Sequence, residues 1–142
     1  MSLRALSIAQ PHAGLIVVDG KVENRGANTT LRGPVAIHAT KTPDLDAMLR
    51  VQRQGLVGPF TVLGAILAVA DLVGCHLADQ DSATTCCQPF GQRMHGARPA
   101  HHLIFTNVRR LPHPIACRGQ LGFWTVDPDV EKAIWDQLAV GR

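Results

Sequence analysis

The segment from Ala5 to Ala39, ALSIAQPHAGLIVVDGKVENRGANTTLRGPVAIHA, constrains the fold more than any other stretch, because Pro, Gly and charged residues punctuate short apolar runs at close intervals. Leu3–Ile8 reads as a strand, Pro11 opens a helix through Leu15, Ile16 and Val17, and Gly20 ends it. Val22–Arg25 reads as a second strand, residues 26–30 as a polar loop, and Pro34–Ala39 as a buried strand. In an extended chain Lys21, Glu23 and Arg25 point to one face, since side chains alternate with a period of two. Arg32 and His38 follow closely, so this segment supplies a candidate polar pocket.

Downstream, Thr42-Pro43-Asp44 predicts a helix start, with Leu45, Met48, Leu49 and Gln52 at helical spacing and Gly55 beyond the end. Val62–Val73 is apolar without useful periodicity; it reads as a strand long enough to bend around a barrel. From residue 77 to residue 100 the composition turns polar and rich in Gly, Pro, Gln and His, too long for an ordinary connection, and this loop is expected to be functional or to carry a protein-interaction surface. His102–Leu111 and Gly122–Val126 read as strands, and Asp127-Pro128 caps a final helix with Val130, Ala133, Ile134 and Leu138 inward. No repeat and no strand-GxGxxG-helix or Walker unit occurs, which argues against dinucleotide and nucleoside-triphosphate folds. The expected fold is a single α+β domain over residues 1–142: a small mixed β-barrel with about three helices packed around it.

A chain of 142 residues with 46% apolar composition fills one core. Its longest apolar run, Val62 to Ala70, is about half of the roughly 20 residues a spanning helix needs, so no membrane association is expected. The opening MSLRALS lacks a long apolar signal region, and Cys86 and Cys87 are adjacent, which together predict reduced thiols and a cytoplasmic setting. The net charge of +3 permits an anionic partner but falls short of a dense nucleic-acid-binding patch.

Several segments in order resemble an ASCH domain of the PUA-like superfamily: SIAQPHAGLI (Ser7 to Ile16), VENR (Val22 to Arg25), RGPVAIHA (Arg32 to Ala39), GAILAVADLVGCH (Gly64 to His76), CCQPFG (Cys86 to Gly91) and NVRRLPHPIACRGQLGFW (Asn107 to Trp124). The resemblance implies a PUA-like barrel with a cleft on one side and an association with RNA binding, RNA metabolism or, in some members, hydrolase or ribonuclease activity. It places Gln10 and Pro11 at the entrance of the first helix beside the cleft, Glu23 and Arg25 along it, and Arg32 and His38 on the next strand. The sequence departs from the family pattern in three places. His12 stands where an aromatic residue is common, Lys21 is one residue closer to Glu23 than is usual, and Glu23 occupies the position of the threonine in hydrolase members.

The expected ligand is single-stranded RNA or a nucleotide-like molecule held by Gln10, His12, Arg25, Arg32, His38 and Arg109, the guanidinium groups suiting phosphate or carboxylate. If the chain is an enzyme, it is a metal-independent hydrolase with Lys21 or Glu23 as general base; a protein-interaction module is the third reading. No cofactor is expected. Cys75, His76, Cys86 and Cys87 offer four soft ligands, but without a CxxC or HxxxH pair, and adjacent cysteines rarely aim both sulfurs at one tetrahedral metal, so no metal site is expected. Cys117 has Arg118 beside it, as a reactive thiolate would require, although an ordinary small residue in a Pro-rich turn explains it better. Asp71 interrupts an apolar run and is expected to pair with an arginine. Phe123, Trp124 and Trp135 are expected in the core.

Overall fold

The computed structural model describes residues 2–53, 55 and 58–140; the expectations for residues 1, 54, 56, 57, 141 and 142 lie outside it. The elements run β1 (Arg4–Ile8), α1 (His12–Asp19), β2 (Glu23–Arg25), β3 (Gly33–Ala39), α2 (Leu45–Arg53), β4 (Ala65–Leu77), β5 (Met94–His95), β6 (Arg98–Pro99), β7 (His101–Ala116), β8 (Phe123–Thr125) and α3 (Pro128–Val140). Six strands form one sheet in the order β2-β7-β4-β3-β1-β8, curled into a half-barrel, while β5 and β6 pair as a small hairpin inside the 77–100 segment. The fold is therefore the expected single α+β domain with three helices.

Local chemistry sets the early elements as the sequence indicates. Helix α1 begins after Pro11 and stops at Gly20, whose left-handed φ of 66° lets its N–H reach back to the last turn. Strand β3 is buried from Val35 onward and lies between β1, to which it is parallel, and β4, to which it is antiparallel. Strands β4 and β7 are the long members of the sheet. Their antiparallel register shifts at three places, and such bulges let paired strands bend where a flat ribbon could not. The curl brings β2 close to β1: Arg25 Nη2 donates to the Ser7 carbonyl at 2.6 Å, although the two strands are not neighbours in the sheet.

The core has two faces. Leu6, Ile8, Ile16, Ile37, Leu67, Leu72 and Leu103 fill the side covered by α1, and Ile66, Val69, Leu111, Trp124 and Ile134 fill the side covered by α3. Trp124 is buried as expected and Trp135 packs against the same cluster. Helix α2 differs from the expectation. Leu45 and Leu49 are exposed, and Ala47 and Val51 face inward. Asp44 decides this rotation, because its carboxylate accepts both from the Ala47 N–H and from the His12 ring on α1.

Candidate nucleic-acid cleft and sulfur-imidazole cluster

The charged row at β2 forms as the two-residue period predicts. Arg25 Nε donates to Glu23 Oε2 at 3.0 Å, and Lys21 Nζ lies 3.8 Å from Glu23 Oε1 and donates to the Val22 carbonyl at 2.9 Å. Lys21 and Glu23 are both buried. Burial pushes the Lys21 ammonium below its ordinary range against the pull of Glu23, with Arg25 adding to the depression. The three residues line a cleft of about 380 Å³ with His12, Arg50 and His95.

Arg25 and Ser7 also line a second, larger cavity of about 890 Å³, where Lys41, Arg118 and the Gly119–Gly122 loop meet His38. His38 is buried, with Nε2 against the Cys117 carbonyl at 2.9 Å and its ring edge-on to Trp124. The Nδ1 atoms of His38 and His12 are buried and have no hydrogen-bond partner among the described residues. The Gly119–His38 approach is close: a Cβ at Gly119 would come within 2.5 Å of the His38 ring and 2.9 Å of Ser7 Oγ, so only glycine leaves this wall open.

Arg25 is the charged residue common to both cavities. Glu23 and the Ser7 carbonyl fix its plane, and Nη1 has no hydrogen-bond partner among the described residues.

Three of the expected ligand contacts stand elsewhere. Gln10 is fully buried, and its amide is committed to the chain itself: Nε2 donates to the Pro59 and Val62 carbonyls and Oε1 accepts from the Gly14 N–H. Arg32 is exposed on the loop before β3 and donates to the Thr29 and Leu31 carbonyls, outside both cavities. Arg109 is ion-paired with Asp71, which gives that carboxylate the arginine partner its position predicts. The Cys117 thiol is pushed up, first by burial and then by Asp127, so proximity to Arg118 in sequence does not make it a thiolate.

Sequence reasoning missed Asn24, Gln92, His95 and His102. Asn24 shares β2 with Glu23 and Arg25 but bonds to the long loop, its Nδ2 donating to the Phe90 carbonyl and its Oδ1 accepting from the Gln92 N–H. Residues 77–100 are thereby knit to the cleft wall.

The cysteine expectation also needs correction. Cys75 takes no part, but His76, Cys86, Cys87 and His102 place one donor atom each within 4.8 Å of one another. The adjacent cysteines converge because Cys87 adopts a left-handed φ of 62°, which turns its sulfur to the same side as that of Cys86. A non-glycine residue in that conformation costs about 1–3 kcal/mol. Partial desolvation of its ring and the neighbouring His102 and His101 hold the largely exposed His76 imidazole below its ordinary range, and burial and Cys86 push the Cys87 thiol up.

A curled six-stranded half-barrel with three helices and a polar cleft between β1 and β2 defines a class of small α+β domains. Within that class the chain has the ASCH domain fold. It is similar to ASCH from Zymomonas mobilis, with 12% sequence identity over 95% of this chain and 94% of that chain at a TM-score of 0.57. A single-residue variant of the same protein matches at 11% identity over 96% and 98%, with a TM-score of 0.58. No protein-family model and no curated relative matches the chain. No helix among the described residues is long and apolar enough to cross a membrane.

Proposed function

We propose that the two adjoining cavities bind single-stranded RNA or a nucleotide in a cytoplasmic setting, with Arg25 as the central contact. The observation that carries this is the arginine itself: a guanidinium held in one plane by Glu23 and the Ser7 carbonyl, on a residue that lines both cavities and whose Nη1 has no hydrogen-bond partner among the described residues. A fixed guanidinium suits a phosphate oxygen or a base edge, because the entropy of orienting it has already been lost in folding. Arg50, Lys41 and Arg118 give the cavities a cationic rim along which a phosphate backbone can run. The PUA-like fold supports the same reading.

Titrating labelled single-stranded RNA by fluorescence anisotropy tests it. Wild type should bind with an affinity that falls as salt rises, and Arg25→Ala should weaken binding about tenfold or more, the loss expected for a charge-assisted hydrogen bond. Equal affinity of the two proteins, or no binding by wild type, would sink the proposal.

One observation favours a second reading, hydrolysis in the same cleft. Lys21 is desolvated and its ammonium is depressed beside a buried carboxylate, as a general base would require. Product formation from a panel of modified nucleosides, abolished in Lys21→Ala with binding retained, would select it.

A further inference from the structure

The cleft uses neither Cys86 nor Cys87, and these two of the four cysteines gather with two imidazoles. We propose that His76, Cys86, Cys87 and His102 form a closed structural zinc site that clamps the 78–92 segment onto the β4–β7 pair. This goes beyond the RNA-binding reading and does not depend on it.

The geometry is that of a tetrahedron's edges. Cys86 Sγ lies 3.5 Å from both His76 Nε2 and His102 Nδ1, and Cys87 Sγ lies 3.5 Å from His76 Nε2. Zinc bound to sulfur at about 2.3 Å and to nitrogen at about 2.0–2.1 Å with tetrahedral angles sets each sulfur–nitrogen edge at roughly 3.5–3.6 Å. Thiol–imidazole hydrogen bonds account for such distances pair by pair. They give no reason for all four donor atoms to converge, nor for one His76 nitrogen to face two sulfurs.

The supporting structure points the same way. His76 and His102 are direct partners in the β4–β7 register, so their rings project from the same face of the sheet. His102 is fully buried, and its Nε2 donates to the Gln92 carbonyl at 2.7 Å. That bond fixes the tautomer and leaves the Nδ1 lone pair directed at the cluster, the outer-shell arrangement typical of zinc-bound histidine.

The turn itself is built for convergence. The Gly91 N–H closes it on the Cys87 carbonyl at 2.7 Å, and a Cβ at Gly91 would lie 2.1 Å from the Cys86 carbonyl oxygen and 2.9 Å from His102. Two thiolates and two neutral imidazoles balance a divalent charge, and an S₂N₂ tetrahedron selects zinc over the oxygen-seeking cations. With four protein ligands no position is left for substrate, so the role is structural. Its effect reaches the cleft, because Gln92 is bonded to both His102 and Asn24.

Metal analysis of the full chain, expressed with zinc and dialysed against zinc-free buffer, tests this together with cobalt substitution of the stripped protein. Wild type and Cys75→Ser should retain about one zinc per chain. Their cobalt forms should show the absorption bands of a tetrahedral thiolate site. Cys86→Ser and His76→Ala should lose both signals; His76 is exposed, so His76→Ala keeps the fold if Cys86→Ser does not, as circular dichroism will report. Zinc that dialyses away from wild type, equal retention by His76→Ala and wild type, or an octahedral cobalt spectrum would each overturn the proposal.

Discussion

Gln10 shows how a polar residue beside a cleft can belong wholly to the scaffold. Its amide satisfies three backbone groups on two segments, so Gln10→Ala leaves buried donors and acceptors without partners. The expected cost is upward of about 2 kcal/mol, read as a lower urea midpoint at unchanged slope. Lys21 makes a different prediction. Its folded-state pKa lies below the unfolded value of 10.5, so between the two the unfolded chain binds more protons and stability rises with pH. Lys21→Met should remove that rise, and unfolding free energies of the two proteins measured from neutral pH to pH 10 will show whether the curves draw together in this way. Glu23 and Arg25 were legible in the sequence because charges at alternate positions have to share a strand face. Gln10, Arg32 and Arg109, expected as ligand contacts, are bonded within the chain, which was not legible because nothing in the sequence shows which partners the fold will bring to them.

At the level of elements, punctuation was the readable signal. Pro11 and Gly20 bound α1, and the apolar run after Gly64 became β4. Helix α2 shows why the facing of an element is harder to read than its existence. Leu45 and Leu49 are four residues apart, and so are Ala47 and Val51, so periodicity alone cannot choose between them; bulk suggests the leucines, whereas the Asp44 bonds turn the alanine face inward. Asp44→Ala should therefore destabilise α2 by about 1 kcal/mol, the usual loss of an N-cap, with faster amide exchange confined to that helix. The sulfur-imidazole cluster was hidden for a similar reason. His102 reaches it only through strand register across β4 and β7, and the conformation that brings Cys86 and Cys87 together is a property of the Cys86–Gly91 turn rather than of residue spacing.

At the scale of the molecule, the pairings that close the sheet join distant parts of the chain. Glu23 on β2 meets Leu103 on β7, and β1 lies parallel to β3 across the α1 connection. Such topology must lose loop entropy before its contacts form, so refolding followed by Trp124 fluorescence should occur on a millisecond-to-second scale, and a microsecond phase carrying the full amplitude would contradict it. The two rims of the sheet have a further consequence. Strands β2 and β8 are three residues each, whereas the apolar stretch of β4 from Ala65 to Leu72 is paired on both sides, by β3 and by β7. A foreign extended chain seeking backbone partners finds none along that stretch, whose groups are taken on both sides. This placement keeps the most apolar strand of the chain from templating its own kind in strand-to-strand aggregation.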